Sequence, residues 1–238
     1  MTLSKIEKLE RPHWLACLVW VLRKPAKFDY LDKWLSVPNT TILDVGCGNH
    51  SPFLTKKTYP NCHYWGVDIT KDYNLDPLDF DCMDGFYELD ITNISNLSVI
   101  ENDFFDCIIM SHIVEHTMNG EEVILCLLNK LKNGGILYLE FPSPHSVYLP
   151  HMRGTLNFHD DPTHVRLYTV KELELLLTKS RCVIIRSGMR HILKRILLMP
   201  VYMVGSLILR RYLVASTFWD ITGFCSYLIA SKGYDSNA

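Results

Sequence analysis

An apolar run that breaks on two glycines constrains this chain more than any other feature. Residues 40–49 read TTILDVGCGN, entering the glycines as a buried strand enters a tight loop. Gly46 and Gly48 let the backbone approach a ligand closely, and a helix after the loop turns its N-terminal amides toward a negative group such as a carboxylate. About twenty residues further on, Asp68 sits near the end of a second strand-like run, HYWGVDIT, where its carboxylate can accept both hydrogens of a ribose diol. A helix is expected to follow the glycine loop, ahead of the second strand.

The rest of the sequence continues the alternation. Phe28, Leu31 and Leu35 stand at helical spacing ahead of the Pro38-Asn39 turn. GFYELDIT at 85–92 is a third strand, and FDCIIMS at 105–111 a fourth. EEVILCLLNKLKNGG follows as an amphipathic helix with a glycine stop, and GGILYLEFPSP at 134–144 is the next strand. Thr169, with Glu172 three residues on, marks a capping box ahead of KELELLLTKS, and RCVIIRS comes after that helix. Strands alternating with helices imply a doubly wound, Rossmann-like α/β sheet, mostly parallel. Seven strands are expected, the last, FCSYLIAS at 224–231, antiparallel. No internal repeat interrupts the pattern, and one domain over 1–238 accounts for it, with a helical segment at 1–38 and a hydrophobic helical insertion or lid at 189–222.

Composition narrows the function classes. A net charge of −2 supplies no overall attraction for nucleic acid, and 48% hydrophobic residues argue against disorder. The eight cysteines are scattered, with no C-x-x-C pair, as expected of reduced thiols in a cytoplasmic protein. The apolar run at 14–22 lacks a signal-peptide cleavage site and is shorter than a bilayer span.

The ordered motifs resemble those of class I S-adenosylmethionine-dependent methyltransferases of the type 11/12 kind, over residues 41–178. The first motif of that family runs acidic-x-Gly-x-Gly-x-Gly, and here Asp44, Gly46, Gly48 and His50 occupy its positions. The resemblance implies S-adenosylmethionine as cofactor, with Gly46, Cys47 and Gly48 around its methionine part and Asp68 on the ribose. It further implies Asp90 on the adenine amine, Ile69 and Ile91 sandwiching the ring, and Ser111 and His112 completing the contacts. A nicotinamide dinucleotide is the alternative cofactor, because Asp68 would serve its ribose equally well. The absence of a later glycine and the run FDCIIMSHIVEH favour the methyltransferase.

Methyl transfer to a hydroxyl needs a positioned nucleophile and a route for its proton. Two polar constellations could supply it. In SHIVEH, His112, Glu115 and His116 share a face if the stretch is helical, where they could gather a divalent metal or simply brace the cofactor pocket. Ubiquinone-pathway O-methyltransferases look similar here; bracing is the reading adopted, so no metal is expected. In NFHDDPTHVRLYT at 157–169, His159 and His164 are candidate bases alongside His116, with Asp160 or Asp161 orienting them. The alternative is that His164 and Arg166 pin this loop to the sheet.

Similar DPTHVRxYT segments occur in methyltransferases resembling those of surface-glycan pathways. The expected acceptor is therefore a sugar hydroxyl of a surface glycan or its lipid-linked precursor. A quinone or other lipid-like acceptor is the second reading, and a non-catalytic cofactor-binding protein, suggested by His50 at the third glycine's position, is the third. The apolar stretch 196–209 is broken by Pro200 and Gly205 and flanked by Arg190, Lys194, Arg195, Arg210 and Arg211. That pattern suits peripheral contact of 190–211 with an anionic inner membrane face. A helical cap or a homodimer interface accounts for it equally well.

Overall fold

A computed structural model describes residues 24–72 and 75–233. The apolar run at 14–22 therefore lies outside the described residues. The elements in chain order are α1 (Lys27–Leu35), β1 (Thr41–Val45), α2 (Ser51–Thr58), β2 (His63–Asp68), α3 (Pro77–Cys82), β3 (Gly85–Glu88) and β4 (Phe105–Ser111). Next come α4 (Gly120–Lys130), β5 (Leu131–Pro142), α5 (Val170–Lys179), β6 (Cys182–Met189), α6 (Leu193–Leu197), α7 (Met199–Arg210), α8 (Trp219–Thr222) and β7 (Cys225–Lys232).

The seven strands form one sheet in the order β3-β2-β1-β4-β5-β7-β6. All neighbours are parallel except β7, which runs antiparallel to both β5 and β6. Strand order reverses at β1, the crevice where open α/β sheets place their ligands beyond the strands' carboxyl ends.

Period-two alternation explains why the central strands are continuous apolar runs. Leu43 and Val45 of β1, with Ile108 and Met110 of β4, pack under α4 and α5 through Ile124, Leu127, Leu173 and Leu177. Ile42, Cys107 and Ile109 point the other way, into a second cluster with Phe28, Leu31 and Leu35 of α1. Both faces are buried, so both parities must be apolar.

Local signals decide where several elements begin and end. Thr169 Oγ1 accepts from the Glu172 amide at 3.1 Å and the Glu172 side chain returns to the Thr169 amide, so α5 starts at its capping box. The helix expected to stop at Gly134-Gly135 ends earlier, at Lys130. Leu131 already pairs with Phe105 of β4, and Lys130 Nζ is tied to the Ile100 carbonyl at 2.8 Å, so sheet pairing takes over ahead of the glycines. The third strand is likewise shorter than its run, because Asp90 folds back to accept from the Thr92 amide at 2.8 Å. Between β6 and β7 the chain leaves the sheet through α6, α7 and α8.

Candidate active site

The loop between β1 and α2 forms the floor of the site. Gly46 has φ of +74°, and a Cβ placed there would lie 1.9 Å from Ile113 Cδ1, so only glycine fits without displacing Ile113. Asn49 and His50 also adopt left-handed backbone, with φ of 58° and 59°. For non-glycine residues this costs about 1–2 kcal/mol each, less for asparagine. Bonding offsets it at His50: Nδ1 sits 2.8 Å from Asp79 Oδ2, and the wholly buried Asp79 carboxylate also holds the amides of Phe53 and Asp76. His50 thus replaces the family's third glycine without lining either cavity described below, which removes the observation behind the non-catalytic reading.

Asp44 is buried, and its Oδ2 accepts from Lys27 Nζ at 2.7 Å, Ser51 Oγ at 2.5 Å and the Tyr64 hydroxyl at 2.7 Å. Those bonds join α1, α2 and β2 behind the glycines. Cys47 turns its side chain away from solvent toward Gly66, and burial pushes its thiol pKa far up, so only its backbone faces the loop.

Asp68, at the end of β2, accepts from the Gly48 amide at 3.1 Å and the Ile69 amide at 2.8 Å. Burial raises its pKa, with the two amides opposing the rise. Beside it opens a cavity of about 210 Å³, lined by Asp68, Ile69, Asp90, Ile91, His116 and Ile113. Ile113 was not foreseen from the sequence. The tight backbone at Gly46 is its signal, because a glycine loop needs a side chain to approach it.

A second cavity, of about 490 Å³, lies on the other side of Gly46 and Gly48. Ser111 reaches it from the end of β4 and His112 from just beyond, Glu140 from β5, Arg190 follows β6, and Trp219 and Asp220 belong to α8. A buried ionic network joins them. Arg190 is 2% exposed; Nε and Nη2 donate to the two Asp220 oxygens at 3.0 and 3.2 Å, and Nη1 to Glu140 Oε1 at 3.1 Å. Glu140 also accepts from Ser111 Oγ at 3.2 Å and the Tyr138 hydroxyl at 2.7 Å. Burial would raise the Glu140 pKa, but Arg190, His112 and Tyr138 hold it well below the carboxylate range.

His112 has a left-handed backbone, φ 57°, and places Nδ1 3.1 Å from Glu115 and Nε2 3.2 Å from Glu140. Burial alone would lower its pKa; the neighbouring Cys225 sulfur and the Glu115 and Glu140 carboxylates outweigh burial and raise it. The SHIVEH segment is therefore not one helical face. Only 114–116 form a short turn of helix, and His116 points elsewhere, toward Thr163 Oγ1 at 2.9 Å, with its ring 4.8 Å from that of His164.

The candidate bases fall outside the larger cavity. His164 has a side chain 5% exposed, and its Nδ1 bonds the Phe158 carbonyl at 2.7 Å. His159 is exposed on the loop, and neither of the two lines either cavity, whereas His116 borders the smaller one. Asp160 does not orient His159. It accepts from the amides of Met152, Leu156 and Asn157 and pairs with His151, which bring its pKa down to about 2 against the effect of burial. Arg166 ties the loop to Glu121 of α4 and Glu172 of α5. Arg190, read from the sequence as one of the cations flanking the apolar stretch, is instead enclosed in the ionic network.

The two cavities share Gly46, one an apolar slot beside an acidic strand end and the other a chamber beyond the loop edged by charged side chains. Adenosine carrying a charged amino-acid tail has that division of chemistry, and the left-handed Gly46 provides the close backbone approach it needs. Comparison with known proteins agrees. Residues 21–185 match the family described as "Methyltransferase domain". Among solved structures, a SAM-dependent methyltransferase from Archaeoglobus fulgidus is 19% identical with a TM-score of 0.57, over 90% of this chain and 94% of that one. An S-adenosylmethionine-dependent methyltransferase from Mesorhizobium loti is 13% identical with a TM-score of 0.59, over 87% and 98%. The [4+2]-cyclase SpnF is 17% identical with a TM-score of 0.57, over 88% and 80%, so the fold alone does not fix the reaction. No curated protein sequence matches the chain. The family match covers more than half of the residues, and the chain therefore belongs to the methyltransferase domain family as an S-adenosylmethionine-dependent methyltransferase.

Proposed function

We propose that the enzyme transfers the methyl group of S-adenosylmethionine to a hydroxyl of a sugar, in a surface glycan or its lipid-linked precursor. The observation that carries this reading is the wall opposite the glycine loop. Trp219 lines the larger cavity beside Ser216 and Thr217, and its ring is backed by Phe224 at 4.9 Å and His112 at 4.9 Å. A fixed aromatic plane edged with hydroxyls suits a pyranose, which presents a C–H face and a rim of hydroxyls.

In this reading Asp68 holds the ribose diol, and Ile69, Ile91 and Ile113 hold the adenine near Asp90. Lys27, whose Nζ bonds Asp44 at 2.7 Å and Ser51 at 2.8 Å at the start of α2, lines the larger cavity and adds the methionine carboxylate to its partners. The sulfonium supplies an activated methyl group and a neutral leaving thioether. The chain's task is then to hold the acceptor oxygen in line with the methyl; as the O–CH3 bond forms and the S–CH3 bond breaks, the hydroxyl proton passes to solvent water at the mouth of the chamber. His112, bonded on both ring nitrogens to the Glu115 and Glu140 carboxylates, braces the wall of the chamber.

A quinone or lipid-like acceptor is the second reading, favoured by the apolar outer surface of α6 and α7. Incubation with methyl-labelled S-adenosylmethionine and a panel of glycosides and quinols, followed by mass spectrometry, decides between them. Label in a glycoside, reduced in Trp219→Ala mainly through a higher KM, is the expected result. Label only in quinols would refute the sugar assignment.

A further inference from the structure

The helices that roof the acceptor chamber are two-sided. Arg195 of α6 and Tyr202 of α7 line the cavity, and Ser206 is buried on the same side. Leu193, Leu197, Val201, Val204, Leu207 and Ile208 face outward, each between 45% and 73% exposed. At about 100° per residue these six fall within an arc of roughly 120°, and Arg195, Tyr202 and Ser206 lie opposite. The backbone bonds Leu198 to Lys194 and Tyr202 to Leu198 carry the helix across the α6–α7 junction, so the stripe is continuous. It is about 23 Å long at 1.5 Å per residue. No described helix is long and apolar enough to cross a membrane, and a stripe of this length suits a helix lying in the plane of an interface.

Charge selects the occupant. No acidic residue occurs between positions 190 and 219; Lys194 and Arg195 are paired with Asp29 of α1, so the positive charge offered to a partner is that of Arg210 and Arg211. Arg210 and Arg211 are exposed at the end of the stripe, and Arg153 stacks over Tyr212 beside them at 4.2 Å. A second copy docking through the same face would bring like charges together. Anionic headgroups would complement them and accept the apolar stripe between acyl chains.

We propose that the outer face of α6 and α7 docks on an anionic lipid bilayer and holds the acceptor chamber against the headgroup layer. The proposal rests on the reading that this chamber receives the acceptor. It implies that the acceptor is presented on a lipid carrier, its polar group entering past Arg195 while its chain stays in the bilayer.

The test is flotation of the full-length protein with vesicles of phosphatidylcholine plus phosphatidylglycerol, and with phosphatidylcholine alone. The wild type should float with the anionic vesicles and be released by salt. Leu197→Asp combined with Ile208→Asp should lower the bound fraction by about tenfold or more, because two apolar anchors are lost and two negative charges gained. S-adenosylmethionine affinity, measured by calorimetry on the same samples, should be unchanged. The proposal is overturned if the wild type does not float, or if the variant floats equally well, which would place any binding elsewhere, such as the apolar run at 14–22. It is also overturned if sedimentation shows a wild-type dimer that the variant dissociates without vesicle binding. Loss of cofactor binding in the wild type would instead defeat the functional reading and leave the flotation result standing.

Discussion

Gly46→Ala tests the geometry of the cofactor loop at its narrowest point. The substitution adds a methyl group where φ is +74°, which costs about 1–2 kcal/mol in backbone strain. The same methyl group would lie 1.9 Å from Ile113 Cδ1 and 2.5 Å from Cγ1. These are outer atoms of a half-buried side chain, so Ile113 can swing aside at little expense to stability. Its way out is the cavity of about 210 Å³ that it already lines. Cofactor binding therefore suffers more than folding: a misplaced methyl or methylene in such a slot is worth about 1–3 kcal/mol, or roughly 10–200-fold in affinity. Denaturant unfolding should show a loss of about 1–2 kcal/mol, and calorimetry a matching weakening of S-adenosylmethionine. Repeating Gly46→Ala in an Ile113→Ala background separates the two effects. The stability loss should persist and the added affinity loss should shrink. An affinity penalty of the same size with Ile113 removed would refute the proposed displacement, and an unchanged stability in both backgrounds would refute the strain.

Two further perturbations probe the polar framework. Arg190→Met leaves Glu140 and Asp220 buried without their shared cation and should destabilise the fold by about 3–5 kcal/mol in denaturant unfolding; a loss within the range of a surface substitution would contradict the network. Asp160 has a folded pKa lowered to about 2 from 3.8, so its contribution is fully present above the unfolded value and disappears as pH falls through the folded one. The stability difference between wild type and Asp160→Asn should therefore narrow between about pH 4 and pH 2. A difference independent of pH across that window would show that the carboxylate's charge does not organise the loop.

Much of the sheet was legible because burial on both faces leaves no freedom in composition. β1, β4 and β7 read as near-continuous apolar runs, and the Thr169 to Glu172 spacing fixed the start of α5. The acidic end of β2 was equally plain. The chamber beyond the loop was not, because its partners lie far apart in sequence: Arg190 meets Glu140 across 50 residues and Asp220 across 30. A signal existed in ILYLEFP, where Glu140 interrupts a strand otherwise fit for complete burial. A charge there must find a buried counter-ion. The histidines misled for a different reason. Spacing alone suggested one helical face for His112 and His116, but the left-handed backbone at His112 turns the two rings into separate environments. Lys27 escaped notice because it precedes the apolar face of α1 that the spacing of Phe28, Leu31 and Leu35 defines.

The reversed direction of the final strand has a consequence for how such enzymes diversify. β6 ends at Met189 opposite Ser226, and β5 ends at Pro142 opposite Cys225, so the excursion between β6 and β7 begins and returns at the rim where the ligand loops gather. Had that connection been a parallel crossover, its extra length would have been free to accumulate on the remote edge. As built, length added there stays beside the larger cavity, where Arg195, Tyr202 and Trp219 already reach it, while the slot beside Asp68 lies half a sheet away and need not change.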